Sequence, residues 1–457
     1  MPTVSPFRAV QYVKAPKSGG TLDVSDLIAP PYDVLDTTSK GALLKRNPNN
    51  VVGIDLPHLP AKELGPTSAY EGAATAFRSW LSDGSLARRE KPAMFVYRET
   101  FSFAGKQHQR SGMACTLEVV PFGARPGGGI LPHEETFSGP KEDRMALMKA
   151  SKSQFSPIFG LHQDEQGTAT RLLQSIMSSR KPDVIANTNE GFGGPLLHEL
   201  WTIDDAATIN AYVAALKGED IFVADGHHRY NTALNYIKHL ETQGPVPANH
   251  PARQCMFVLV GMSDPGMVIG PTHRILGGMS GYSLEAFQKA AAGKLNLSKI
   301  DGDLHAIEAA MDAAAKKSGS SALGIYDFAS KQCFVATPVD ADPLKAQFPA
   351  KVKEWRQLDV ALVQYLIVEG ICQPSLNGGK PVQWAFPHSI EEVIDIGAGK
   401  EKGSGGGKAY VPQLGVIVRP TPLEAVRAVS RAGELMPQKS TFFYPKLATG
   451  LFINPLE

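Results

Sequence analysis

The sequence predicts an α+β protein with mixed sheets, and three observations carry that reading. Apolar, β-prone runs and helical periodicities alternate without the even strand–helix–strand period of a doubly wound sheet. One short apolar run, Ile221-Phe222-Val223-Ala224, leads straight into Asp225-Gly226 and then into a helical pattern. After about residue 278 the texture changes to Ala-rich helices and short paired strands. The 457 residues suit two or three domains of roughly 100–200 residues each. We therefore expect an N-terminal domain over 1–278 and a smaller α+β domain over 279–457.

The elements follow in order. The stretch up to about Pro66 is rich in Pro and Asn and reads as loops and short strands. Within it, Pro30 and Pro31 of Ile28-Ala29-Pro30-Pro31-Tyr32-Asp33-Val34 fix φ and remove two donors, which predicts a rigid, extended connection and no helix. Tyr70, Ala73, Ala74, Phe77 and Leu81 recur at helical spacing and Gly84 follows as a stop, so 69–81 is a helix. Residues 93–103 and 112–120 read as an antiparallel pair. A glycine-rich loop over 123–129 leads into Leu131-Pro132-His133-Glu134-Glu135-Thr136, and a helix starts near Pro140. The strand 220–224 is followed by a helix over 230–240 with Ala233, Leu234 and Ile237 on one face. Residues 255–261 form another apolar strand, closed by the turn Ser263-Asp264-Pro265-Gly266. Beyond it we expect helices over 284–292 and 304–316, paired strands over 322–328 and 332–338, an amphipathic helix over 358–370 and a flexible glycine loop over 397–407.

Bulk properties exclude several classes of function. Apolar residues make up 43% and charged residues 20% of the chain, an ordinary globular balance. The formal net charge of +1 provides no global field toward nucleic acid or an anionic membrane, and no basic recognition helix is visible. A nucleotide must be caught by a local site. Cys115, Cys255, Cys333 and Cys372 stand alone in the chain with no CxxC pair. They fit small buried apolar residues in a reducing compartment. The first residues lack the basic start and apolar run of a signal peptide, and no apolar stretch approaches the roughly 20 residues that span a bilayer. A cytoplasmic location is the expectation, and no repeat of 20–50 residues stands out.

The chemistry concentrates at Asp225-Gly226-His227-His228-Arg229. A helix N-terminus has unpaired N–H groups and roughly half a positive charge, which suits an anion. Gly226 lets a ligand approach the backbone. His227, His228 and Arg229 add donors, and arginine grips phosphate with two parallel hydrogen bonds. Asp225 can orient a histidine, hold Mg²⁺ through phosphate or accept a proton. The plain structural alternative is an Asp-Gly turn capping a helix. Adjacent histidines diverge from a helix, and no HExxH or Cys/His zinc spacing occurs elsewhere, so no metal site is assigned.

Other constellations add candidates. His133 and Glu134 precede Lys141, Asp143 and Arg144, grouping acid, base and cations on one loop–helix unit. Pro271-Thr272-His273-Arg274 is a second His-Arg pair. Met436-Pro437-Gln438-Lys439-Ser440-Thr441 precedes the aromatic run Phe442-Phe443-Tyr444-Pro445-Lys446, a combination suited to a phosphate and a ring. GxxxxGK[ST] is absent, since Glu401 follows Gly399-Lys400 and Ala409 follows Gly407-Lys408. Neither a GxGxxG after a strand nor a GxSxG elbow is present.

Residues 28–34, His133-Glu134-Glu135-Thr136, Asp143-Arg144, 224–230, 271–274 and 436–446 together resemble, almost end to end, a large prokaryotic family of uncharacterised proteins. That family is the domain of unknown function numbered one thousand and fifteen, and it implies no activity. Over a few tens of residues, Val223-Ala224-Asp225-Gly226-His227-His228-Arg229 also resembles the phosphate motif of the ParB and sulfiredoxin-like superfamily. Free-serine kinases using ADP or ATP are the members most alike. This likeness implies a strand–turn–helix phosphate site in which His227, His228 and Arg229 contact phosphates and Asp225 shapes the turn. Position 227 is His, so the sulfiredoxin cysteine has no counterpart.

The expectation is a small-molecule kinase moving a phosphoryl group from ATP or ADP to a hydroxylated metabolite, serine being one candidate. Glu134 is the expected base with Asp33 second, and Asp225 and His228 complete the catalytic set. Gly226, His227, Arg229, Arg144, His273, Arg274, Lys439 and Ser440 hold the nucleotide with Mg²⁺, and Tyr32, Asp33 and His133 hold the substrate. The alternative is a nucleotide-binding regulatory protein without turnover. A homodimer is left open, and no membrane partner is expected.

Overall fold

The computed structural model describes residues 2–61, 63–134, 138–189, 194–318, 321–400 and 411–457. It is a mixed α+β protein whose contacts divide into two compact units. The first comprises residues 1–132, 136–268 and 445–457; the second comprises 133–135 and 269–444. The division thus falls at Val268 rather than near 278. The last segment, Pro445–Glu457, returns to the first unit instead of completing a continuous C-terminal domain.

The first unit is built on an 11-stranded mixed sheet among the described residues. Its central strands Met94–Phe103 and Lys106–Glu118 are the expected antiparallel pair, joined in a tight hairpin at Phe103 and Lys106. Gln254–Gly261 lies antiparallel to the second of these and parallel to Ile158–His162. Ile221–Asp225 then runs antiparallel to Ile158–His162, and its other edge pairs with Ile130–Leu131 only as far as Phe222. Ile221, Phe222 and Val223 are fully buried. A strand with both faces covered reads as a continuous apolar run, which is why this segment was legible. Tyr230, Tyr212, Trp201 and Phe257 pack in the same core.

Among the described residues the second unit carries a smaller, six-stranded antiparallel sheet, in spatial order Leu295–Lys299, Cys333–Pro338, Leu323–Asp327, Pro412–Ile417, Arg274–Gly277 and Gln383–Ala385. One core contains Phe287, Trp355 and the buried residues of 362–372; another contains Ile307, Met311, Val393 and Ile417.

Three of the elements that differ from expectation do so for the following reasons. The stretch before Pro66 contains the helix Thr37–Arg46, which buries no residue and so gave no apolar periodicity. Its capping box starts it: Ser39 N–H donates to Asp36 Oδ1 at 2.8 Å, and Asp36 N–H donates to Ser39 Oγ at 3.1 Å. Tyr32–Val34 closes into a 3₁₀ turn just after the extended Pro30-Pro31. The expected amphipathic helix over 358–370 is a short α-turn, Asp359–Ala361, followed by π-type winding over Leu362–Cys372. Winding that bonds i to i+5 places Leu362, Ile367 and Cys372 on one face with Val363 and Val368 beside them, and all five are buried. The glycine loop over 397–407 lies outside the described residues from 401 onward, as do Glu135 and Thr136. All four cysteines are buried and unpaired with one another. No helix among the described residues is long and apolar enough to cross a membrane.

Candidate functional site

The strand Ile221–Asp225 passes through Gly226 directly into the helix His227–Glu241. Gly226 makes that sharp connection with φ of 98°, in the left-handed region that other residues enter only with strain. A Cβ there would also stand 3.1–3.2 Å from the Arg229 guanidinium. The helix begins at His227, not Tyr230, so both histidines and Arg229 occupy its first turn. No side chain caps that turn, and no acidic residue lies in it. His227 is buried and His228 half-buried.

Asp225 is the hub of this junction. Its Oδ2 accepts from Arg229 Nη2 at 2.5 Å, and its Oδ1 accepts from Lys446 Nζ at 2.6 Å. Burial alone would raise its pKa, but Lys446 and then Arg229 hold the carboxyl well below the usual range. A carboxylate so held stays ionised at neutral pH. Arg229 also donates through Nη1 to the Pro157 carbonyl, so both ends of its fork are already engaged. Burial works against the Arg229 charge, while Asp225, then Asp33, Tyr32 and Asp55, stabilise it. Lys446 is likewise stabilised by Asp225 and Asp33 against its own burial. Asp33 is half-buried, and its Oδ1 is shielded from solvent without a hydrogen-bond partner.

Arg144, expected to contact phosphate, is instead sealed behind this hub at 6% exposure. It donates through Nε to Asp143 at 2.8 Å and pairs through Nη1 with Asp55 at 3.2 Å. The Tyr32 ring covers its guanidinium at 3.9 Å. Asp55 also accepts from Ser156 at 3.0 Å, and Asp143 accepts from Tyr70 at 2.7 Å. Asp55, Arg144, Ser156 and Arg229 line a cavity of about 40 Å³. That is far below the roughly 300–1,000 Å³ of a ligand pocket, so this cavity is too small to hold a nucleotide.

The remaining expected residues gather within the second unit. Glu134 Oε1 accepts from the Lys439 N–H at 3.0 Å, and the His133 carbonyl accepts from Met436 N–H at 2.7 Å. The His133 ring bonds Thr441 Oγ1 through Nε2 at 2.8 Å. Arg274 is 3% exposed and donates to the carbonyls of Thr272, Lys439 and Gln438, with its guanidinium over Phe386. Burial lowers its pKa to about 10, and Glu134 pulls the other way. Lys439 sits at φ of 60°, unusual for a side-chain-bearing residue, in a turn pinned by Glu134 and Arg274. Ser440 is buried with its hydroxyl on the Pro437 carbonyl. His273 accepts from Val418 N–H at 3.3 Å, and burial lowers its pKa to about 3.

The expected residues thus form two groups, one inside each unit: Tyr32, Asp33, Arg144, Asp225, Gly226, His227, His228 and Arg229, then His133, Glu134, His273, Arg274, Lys439 and Ser440. Two charged members of the first group's network, Lys446 and Asp55, have no role assigned from the sequence. Lys446 ended an aromatic run and carried no role there. Asp55 lay in a stretch read as loop, although a carboxylate between Ile54 and Leu56 signals a buried pair. No cluster of three or more metal-ligating side chains is present among the described residues.

A strand–glycine–helix junction carrying a half-buried charged hub defines this as an α+β protein with a built ionic site. The chain belongs to the family described as "Protein of unknown function (DUF1015)", whose model matches residues 4–361. No curated protein sequence matches it. Among solved structures it is distantly similar to a point mutant of a free serine kinase in complex with ADP. That match has 12% identity and a TM-score of 0.33, covering 73% of this chain and 95% of the other. A conserved hypothetical protein from Pyrococcus furiosus matches with 12% identity and a TM-score of 0.32 over 73% and 98% of the two chains. SbnI with a C-terminal truncation, from Staphylococcus aureus, matches with 9% identity and a TM-score of 0.31 over 71% and 83%.

Proposed function

We propose that the protein is a phosphotransferase that moves a phosphoryl group from ATP or ADP to a hydroxyl of a small metabolite, with serine the first acceptor to test. The observation that carries this reading is the junction at Asp225-Gly226. There an uncapped helix start lies beside Lys446 and Arg229, two cations held in place by one ionised carboxylate. In this reading the first-turn N–H groups and His228 contact the phosphates. Lys446, whose side chain keeps 19% exposure, offsets the charge on the phosphoryl oxygens as that group leaves the nucleotide for the acceptor oxygen.

Asp225 cannot serve as the base, because both its oxygens are engaged and its pKa is depressed. Glu134 is engaged as well, its Oε1 accepting from the Lys439 N–H. We therefore assign the proton-accepting role to Asp33, whose Oδ1 has no partner and whose charge already acts on Arg229 and Lys446. Magnesium fits these residues only as part of a nucleotide complex, since Asp33 alone has a carboxylate oxygen to offer. Bound in that way, it would neutralise phosphate charge.

One feature favours a second reading, a nucleotide-binding protein without turnover: the Arg229 fork is already committed to Asp225 and Pro157. Phosphorus NMR with Mg²⁺, ATP or ADP, and serine within a pool of hydroxylated metabolites separates the two. A new phosphomonoester signal, lost in Asp33→Asn, supports the kinase. Broadened but unconsumed nucleotide supports the binding protein, and sharp, unperturbed nucleotide lines refute both.

A further inference from the structure

We propose that the second unit contains a separate binding site for a small anion bearing phosphate or carboxylate groups, gripped by Arg419 and Arg427. The two arginines line a cavity of about 720 Å³, a volume within the roughly 300–1,000 Å³ range of small-molecule sites. Its walls come from the segment 354–359 and from the strand exit and helix spanning 419–431. None of its lining residues belongs to the Asp225 cluster, and the proposal stands whether or not the protein is a kinase.

Arg419 is set in place by Asp359. Its backbone N–H donates to Asp359 Oδ2 at 3.1 Å, and its guanidinium reaches both carboxylate oxygens at 3.3 and 3.4 Å. The side chain still keeps 35% exposure against 10% for Asp359, so the carboxylate orients the guanidinium without covering it. Arg427, on the helix Leu423–Arg431, lines the same cavity half-buried, and no described residue pairs with it. A half-buried guanidinium in no ion pair, beside a second, pre-oriented one, is a poor structural device and a good anion clamp. Leu358, Pro420 and Ala425 supply apolar surface next to it, which excludes water and strengthens charge-assisted bonds. Glu354 and Glu424 also line the cavity but are exposed, where solvent and salt screen their repulsion.

The test uses full-length protein labelled with 5-fluorotryptophan, following the fluorine resonance of Trp355, which lies between Glu354 and Arg356 and is assigned with Trp355→Phe. Sodium pyrophosphate and sodium citrate are titrated separately. A saturable shift with pyrophosphate alone indicates a phosphorylated ligand, and a shift with citrate alone indicates a polycarboxylate. Arg427→Ala is expected to weaken that binding at least about tenfold, as loss of one charge-assisted contact does. Ala428→Glu, which places a carboxylate on the cavity wall, is expected to abolish it, and both variants keep the parent's unfolding midpoint. No shift with either probe up to about 20 mM, a concentration that would reveal even millimolar binding, overturns the proposal. So does a parent-like titration of both variants.

Discussion

Replacing Asp225 by Asn tests whether the Asp225–Arg229–Lys446 hub is a stabilising ion cluster or three charges that merely meet. The amide keeps the shape and removes the charge. Two cations would then face each other around a neutral group, with Asp33 their strongest remaining counter-charge. Breaking a fully buried pair costs about 3–5 kcal/mol. Here the side chains of Asp225, Arg229 and Lys446 keep 20, 11 and 19% exposure, so solvent screens part of the loss and about 2–4 kcal/mol is expected. Lys446→Met leaves Asp225 paired with Arg229 and should cost about 1.5–3 kcal/mol, the worth of one charged hydrogen bond. The double variant should be less unstable than the sum by about 1–3 kcal/mol, because the partners share one interaction.

Urea unfolding in a Trp355→Phe/Trp384→Phe background leaves Trp80 and Trp201 as reporters of the first unit. The pH dependence has a definite sign. The folded-state pKa of Asp225 is depressed, so its contribution is fully present above the unfolded carboxyl value of about 3.9 and is lost as pH falls below it. The gap between parent and Asp225→Asn should therefore stay constant from pH 8 to about 5 and close only in more acid solution. A coupling energy below about 0.5 kcal/mol, within the error of additive sites, would refute the hub. A gap already closed at pH 5 would do the same.

Three further outcomes are expected. Gly226→Ala combines a strained φ with a close approach to the Arg229 guanidinium, so it should cost about 1–3 kcal/mol by urea unfolding and weaken ATP at least about tenfold by phosphorus line broadening. Arg144→Met leaves Asp55 and Asp143 buried without their cation; it should cost about 3–5 kcal/mol, and at a temperature where the variant is folded its nucleotide affinity should match the parent's. Burial lowers the pKa of His162 to about 4 and of His198 to about 3. The unfolded chain binds their protons below about 6.5 while the folded one does not, so stability should fall as pH drops from 6.5, by about 2 kcal/mol per histidine at pH 5. In His198→Gln that acid loss, read from urea midpoints at pH 7 and 5, should shrink by about this amount.

What could be read in the sequence was what is local. The junction was legible because strand, turn and helix start are contiguous, and each leaves its own mark: an apolar run, an Asp-Gly turn, a helical period. The hairpin of Met94–Phe103 with Lys106–Glu118 was legible for the same reason. The helix Thr37–Arg46 was not, since it buries nothing and depends on a cap rather than a face. Pro195–Ile203 sits in the middle of the large sheet, yet His198 and Glu199 interrupt its apolar pattern. Their partners lie on the neighbouring strands: Tyr97 and Thr188 for His198, and Arg98 for Glu199. Arg144 shows the same limit from the other side. A sequence displays a charge but not all of its counter-charges: Asp143 is adjacent to Arg144, but the second carboxylate opposing it, Asp55, is 89 positions away.

The hub also changes what each charged residue at the junction can do. A conspicuous aspartate beside two histidines and an arginine invites a catalytic role. Its partner Lys446 stands 221 positions away in the chain, so nothing local warned that both oxygens were taken. Once Lys446 is placed, Asp225 becomes a residue that sets positions. It fixes one cation on the helix and one on the C-terminal segment, and it is too weak a base to accept a proton at neutral pH. In the proposed reaction the base is instead a carboxylate near this cluster that still has an open oxygen. Asp33 meets that condition, and the rigid Pro30-Pro31 segment before it gives the fold a reason to hold it there.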